Sequence, residues 1–192
     1  MTTWWWIRHG PTHEKCFVGW RDVPADLSNT AQISRLNAHL PDDALLVSSD
    51  LIRASATADV IQQSRTRLPN EHQLREFNFG DWDGMKFDEI SQKHPELSRA
   101  YWDDPGDITP PNGESWNDTA ARVKQFVDRI NSSQPNRHII AVAHIGVIMT
   151  QVQRACNISA KKAISHNIDN LSVTRLGWDG KNWNCGKINH LP

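Results

Sequence analysis

Two rhythms of apolar and polar residues run along the chain. Short continuous apolar runs bounded by turn residues read as buried strands, and apolar residues three or four apart read as helices. WWWIR at residues 4 to 8 predicts a first strand. Ser28 can cap a helix whose Ile33, Leu36 and Leu40 share one face, and ALLVSS at 44 to 49 predicts a short buried strand. A second helix is expected near Leu51, carrying Arg53 at its start. Between Glu76 and Pro111 the rhythm is lost among aromatics, acidic residues and the breakers Gly80, Gly84, Pro95, Pro105 and Gly106. This predicts an irregular excursion over the sheet. Regularity returns at Ser115, where S-x-x-D resembles a capping box before Trp116, Ala120, Val123, Val127 and Ile130 at helical spacing. HIIAVAH at 138 to 144 predicts a buried parallel strand ending in a histidine, then Gly146 and another apolar helix. Asp179-Gly180 between strand-like segments predicts a hairpin.

Strands and helices that broadly alternate over 192 residues predict one α/β domain, with a mostly parallel sheet and helices on its faces. There are 21 basic and 22 acidic residues, so no field steers the protein toward nucleic acid. No apolar run is long enough for a membrane span. Residues 1 to 3 lack a basic leader, so a cytoplasmic location is expected. Cys16, Cys156 and Cys185 form no C-x-x-C pair and are expected to be reduced thiols.

The chemistry gathers where strands end. Arg8-His9-Gly10 and His144-Ile145-Gly146 each follow an apolar strand, and Arg53 follows a third. In open α/β sheets, ligands bind outside the carboxyl ends of strands. Two arginines and two histidines brought there would repel one another unless they met an anion such as a phosphoryl group. As a neutral imidazole, His9 can attack phosphorus, and a carboxylic acid is then needed for the leaving oxygen. LREFNFGDWDG offers Glu76, Asp81 and Asp83. His9 and His13 have metal-like spacing, but Gly10-Pro11 between them is not helical. Trp4 to Trp6 are expected to pack in the core, and Trp82 and Trp102 either to line a substrate mouth or to join a satellite core.

RHGPT at 8 to 12, SSDLIRASATA at 48 to 58, LREFNFGDWDG at 74 to 84, NGES at 112 to 115 and AHIG at 143 to 146 occur in that order. Together they resemble the histidine phosphatase superfamily, with its phosphoglycerate-mutase-like fold, over nearly the whole chain. The resemblance implies a three-layer αβα sandwich around a mixed, mostly parallel six-stranded sheet. It implies a single domain, 1–192, with a lid-like insertion at about 76–114, and no metal or organic cofactor. His9 would be the phosphorylated nucleophile, Arg8, Arg53 and His144 the phosphoryl-binding groups, and Glu76 the proton donor. Thr12, Lys15 and Ile145 would be further substrate contacts. Three positions depart from the family pattern: Lys15 where asparagine is common, Asp50 where proline is common, and Ile145 where glycine is usual.

The expected activity is hydrolysis of a small phosphate monoester through a phosphohistidine. The alternatives are a phosphoglycerate mutase-type phosphotransferase and a non-catalytic phospholigand-binding module, and α-ribazole phosphatase is one specific activity within the first reading. Neither nucleic acid nor membrane is an expected partner. A homodimer, through a sheet edge or helix face, is admitted but has no signal in the chain.

Overall fold

Residues 1–192 are described by a computed structural model. From the amino end, β1 (Thr2–Arg8) is followed by α1 (Thr30–His39), β2 (Leu45–Ser48), α2 (Ile52–Ile61) and the two-residue β3 (Thr66–Arg67). Two 3-10 turns, His72–Leu74 and Gly80–Trp82, lead to α3 (Phe87–Lys93) and α4 (Pro95–Asp103). Next come α5 (Trp116–Ser133), β4 (His138–Ala143), α6 (Ile145–Cys156), α7 (Ala160–Ala163), β5 (Val173–Trp178) and β6 (Trp183–Cys185). The strands form one sheet in the order β3-β2-β4-β1-β5-β6. β1 and β2 each pair with β4 in parallel, and β5 and β6 extend the sheet antiparallel. The mixed six-stranded sheet of the sequence reading is therefore present.

Alternation along β1 divides the core in two, because successive strand side chains point to opposite faces. Trp4 and Trp6 stack at 5.2 Å, with Phe126 of α5 edge-on to Trp4. They join the larger cluster, which also holds Val147 and Val152 of α6. Ile7 points the other way, into a smaller cluster with Leu36 of α1 and Ala54 and Ala58 of α2. Helices cover both faces, which makes three layers. The tryptophan run is core, and Trp4 Nε1 donates to Asn131 Oδ1 at 2.9 Å to satisfy its polar atom. The irregular segment also belongs to the larger cluster, through the fully buried Trp82 and its edge contact with Tyr101.

Two local readings change, and one strand is added. Asn29, rather than Ser28, caps α1, its side chain accepting from Gln32 N, while Ser28 N is held by Asp26 Oδ1. β3 is too short and polar to leave an apolar pattern, and it exists only by pairing with β2. Cys156 and Cys185 are not free thiols but are joined as a disulfide. They lie 29 positions apart in the chain, so spacing carried no signal. They meet because the end of α6 packs across β6. Cys16 remains free. Alkylation under denaturing conditions without reductant is therefore expected to modify one cysteine. Closing a loop of this length should stabilise the fold by about 3 to 4 kcal/mol, read as a lower denaturation midpoint on reduction. Three modified cysteines, or no change on reduction, would contradict the pairing.

Candidate active site

Parallel pairing of β1 and β4 brings the two histidines together. Arg8 is in register with Ala143, and His9 N donates to Ala143 O at 3.1 Å, so both chains leave the sheet at one level. His144 then stands at the amino cap of α6, and the His9 and His144 rings lie 5.1 Å apart between centroids. β2, on the other side of β4, delivers Arg53 in the first turn of α2 to the same edge.

His9 is buried, and its Nδ1 lies 2.6 Å from Gly10 O. A carbonyl only accepts, so the proton sits on Nδ1 and the Nε2 lone pair is left free. Asn170 Nδ2 donates to His9 O at 2.8 Å and steadies the backbone. Burial, reinforced by Arg53 and Arg8, pushes the His9 imidazole down to about 3, so it is neutral near neutrality. His144 has no exposed surface, and neither ring nitrogen has a partner. Burial and then Arg53 hold it well below the ordinary histidine range.

Arg53 is only 1% exposed, and its guanidinium donates to Arg21 O at 2.9 Å and Gly19 O at 2.7 Å. Arg8 Nη1 donates to Ile168 O at 2.7 Å. Neither arginine forms an ion pair. Desolvation lowers the pKa of both, and the more distant Glu76 carboxyl opposes it. Carbonyls orient these cations without neutralising them, and the Nε of each is buried and unpartnered. The site therefore holds two uncompensated positive charges, an arrangement that favours a dianionic ligand.

Glu76 is buried and accepts from Phe77 N at 3.0 Å and Gly146 N at 3.3 Å. Burial raises its carboxyl above the usual range, against the opposing pull of Phe77 N–H, Arg53, Gly146 N–H and Arg8. The close approach depends on Gly146, because a Cβ there would fall 2.6 Å from Glu76 Oε1 and nearer still to the Phe77 ring. The Glu76 carbonyl accepts from Trp20 Nε1 and Arg122 Nη2, each at 2.8 Å. Arg122 is itself held by two bonds of 2.9 Å to Glu114, which also takes Asn78 N. This Glu114–Arg122 clamp was not foreseen. NGES contained Glu114, but nothing in the helical pattern of α5 marked Arg122. The other two candidate acids brace loops, Asp81 accepting from Asn112 and Asp83 from Gly19 N and Arg21.

A cavity of about 490 Å³ opens over these groups, with Arg8, His9, Arg53 and Glu76 in its lining. Thr12 and Ile145 line it as well. His144 lies beneath, against His9, and is not part of the lining. Lys15 is exposed and lies outside the lining, where its neighbour Glu14 faces the cavity instead. Asp50 is taken up by Arg75, which donates to it at 2.7 and 2.8 Å.

A family model described as the histidine phosphatase superfamily (branch 1) matches residues 4–191. Phosphoglycerate mutase-like protein 4 of Arabidopsis thaliana is 30% identical over 197 residues, 96% of this chain and 85% of its own. The adenosylcobalamin/alpha-ribazole phosphatase of Escherichia coli is 28% identical over 172 residues, 86% of this chain and 84% of its own. The structure of a mycobacterial glucosyl-3-phosphoglycerate phosphatase in complex with VO3 superposes with a TM-score of 0.86 at 26% identity, covering 97% of this chain and 98% of that one.

Gly146→Ala is expected to displace Glu76 and Phe77, lowering kcat for phosphate release about 100-fold and stability by about 1 to 3 kcal/mol. Wild-type kcat would show that the approach is not tight. His9 also ties stability to pH. It titrates near 6.5 when unfolded and at about 3 when folded. The unfolded chain thus binds the proton first, so this contribution is intact above about pH 6.5 and is lost as pH falls toward 3. His9→Gln should therefore lose less thermal stability than wild type between pH 7 and pH 4, and parallel curves would refute this coupling.

Proposed function

Because the chain belongs to the histidine phosphatase superfamily, we propose that it is a phosphomonoesterase acting on a small phosphorylated metabolite through a phosphohistidine on His9. The observation that carries the reading is the pair of buried, carbonyl-oriented, unneutralised arginines beside a neutral His9 whose Nε2 is free. Arg8 and Arg53 hold the phosphoryl oxygens. The single N–H of the neutral His144 ring, unpartnered beside His9, answers one oxygen from below. The Nε2 lone pair attacks phosphorus as the ester P–O bond breaks, and Glu76 gives its proton to the departing oxygen. The imidazolium N–H at Nδ1 stays on Gly10 O. Water then attacks phosphorus, passes a proton to the Glu76 carboxylate, and the N–P electron pair returns to Nε2. The guanidiniums supply the charge neutralisation, so the mechanism calls on neither a metal nor an organic cofactor.

The mutase-type alternative needs a hold for a second acidic group. Lys15, the candidate for it, lies outside the cavity, and Arg8 and Arg53 are the only arginines or lysines that line it. A retained nucleophile, acid and cation set likewise supports chemistry over mere ligand binding. In this reading Thr12 and Ile145 contact the substrate, and residues 76–114 act as a lid-like insertion carrying Phe79 and Trp102 to the cavity wall. The near balance of charge supports a small-molecule partner over nucleic acid, and no helix is long and apolar enough to cross a membrane. A cytoplasmic setting belongs to the same reading. Disulfides are rare there, so the state of Cys156 and Cys185 in cell extract tests that part.

Phosphate release from p-nitrophenyl phosphate and alkyl monoesters, with chelator present, should vanish in His9→Ala. Release that survives this substitution would sink the mechanism. Glu76→Gln should lower kcat/KM for alkyl monoesters about 10²- to 10⁴-fold but spare much of the p-nitrophenyl phosphate rate, whose leaving group needs no proton. Since Glu76 acts protonated, kcat/KM for alkyl esters should fall as pH rises through its raised pKa, a limb that Glu76→Gln removes. Equal losses on both substrates would deny Glu76 the role of acid.

A further inference from the structure

The cavity lining is of two kinds. Beside the charged groups stands an apolar wall of Phe17, Phe79, Trp102, Ile145, Met149 and Ile164. Phe17 and Trp102 lie 5.7 Å apart and 20° from parallel, and Phe79 meets Phe17 edge-on at 5.0 Å. The aromatic part of the wall joins two distant stretches of chain, the loop after β1 and the segment ending in α4. Phe17 N donates to Met85 O and Gly84 N to Phe17 O, each at 2.9 Å, and these bonds lock the two stretches together. Phe17 and Trp102 keep part of their surface uncovered although large aromatics gain most from burial, so a ligand that covers them is favoured.

Charge selects in the same direction. The lining arginines are Arg8 and Arg53 of the phosphoryl site, and the one lining carboxylate besides Glu76 is Glu14. Cys16 Sγ donates to it at 3.1 Å and Arg21 Nη2 at 3.4 Å, and these two contacts lower its pKa and keep it ionised. A second acidic group on the substrate would face this carboxylate, while the nearby Arg21 is shared between Glu14 and Asp83 and does not line the cavity. A polyhydroxylated group would lose water and find few partners beyond Thr12, Glu14 and Cys16.

We propose that the physiological substrate is a phosphate monoester whose alcohol carries an uncharged, planar apolar group, and that Phe17, Phe79 and Trp102 form the specificity wall that receives it. This rests on the phosphomonoesterase reading. A volume of about 490 Å³ accommodates a phosphoryl group and a bicyclic ring.

The test compares 2-(1-naphthyl)ethyl phosphate, glycerol 3-phosphate and 3-phosphoglycerate, all with alkyl leaving oxygens, so that chemistry differs little and the wall is what is read. Wild type should favour the naphthyl ester in kcat/KM by about 100-fold over either of the others, expressed mainly in KM. Trp102→Ala and Phe17→Ala should each cut the ratio of naphthyl to glyceryl kcat/KM about 10-fold or more. Glu14→Gln should raise the ratio of 3-phosphoglycerate to glycerol 3-phosphate about 5-fold. Hydrolysis that depends on His9 without preference for the naphthyl ester overturns the wall and leaves the phosphatase standing. Calorimetric binding of the three esters to His9→Ala reads the wall without turnover. A naphthyl preference there supports the wall even if no ester is hydrolysed, and equal affinities overturn it.

Discussion

The parallel ladder between β1 and β4 is the constraint from which the site follows. It sets Arg8 beside Ala143, so the next residue on each strand is a histidine at the same height and the same edge. The ladder exists because both strands are apolar along their length and helices cover both faces of the sheet. The bond from His9 N to Ala143 O holds the two chain ends at one level, and the rings lie 5.1 Å apart. A one-residue slip would send every side chain of β1 to the opposite face, taking Trp4 and Trp6 out of their cluster along with His9 out of the site.

The consequence is electrostatic. Burial at this edge penalises charge on the imidazoles, which can discard a proton, and on the guanidiniums, which cannot. His9 and His144 are therefore neutral, while Arg8 and Arg53 remain cations held by carbonyls. A nucleophile needs a lone pair and a phosphoryl group needs positive charge, and one low-dielectric environment supplies both. The same burial favours the protonated form of Glu76, as donation to a leaving oxygen requires.

Precision comes from outside the strands. Glu76 sits on an irregular segment that has no ladder to hold it. It is steadied by the bonds of Trp20 and Arg122 to its carbonyl and by Gly146, whose missing Cβ admits its carboxyl. The packed excursion that contributes Phe79 and Trp102 also shapes the cavity. The proposed phosphoryl-binding groups thus stand at the ends of regular elements, whereas the aromatic part of the proposed specificity wall stands on loops and short helices, where sequence changes most cheaply.

Much of this was legible before any coordinates. The apolar runs ending in Arg8-His9 and His144, the start of α2 at Arg53 and the capping box of Ser115 are local patterns. Each records burial or a satisfied helix end within a few residues of itself. Together they determined the α/β class, the strands that carry the site, and the candidate nucleophile and cations it gathers. What only the tertiary structure decided is non-local: the Cys156–Cys185 bond, the existence of β3, the Glu114–Arg122 clamp, Asp81 and Asp83 as braces, and Glu14 rather than Lys15 on the cavity wall. The physical reason is that hydrogen bonds and ion pairs between distant segments depend on sheet order and on how loops close over it, and residue spacing along the chain carries neither.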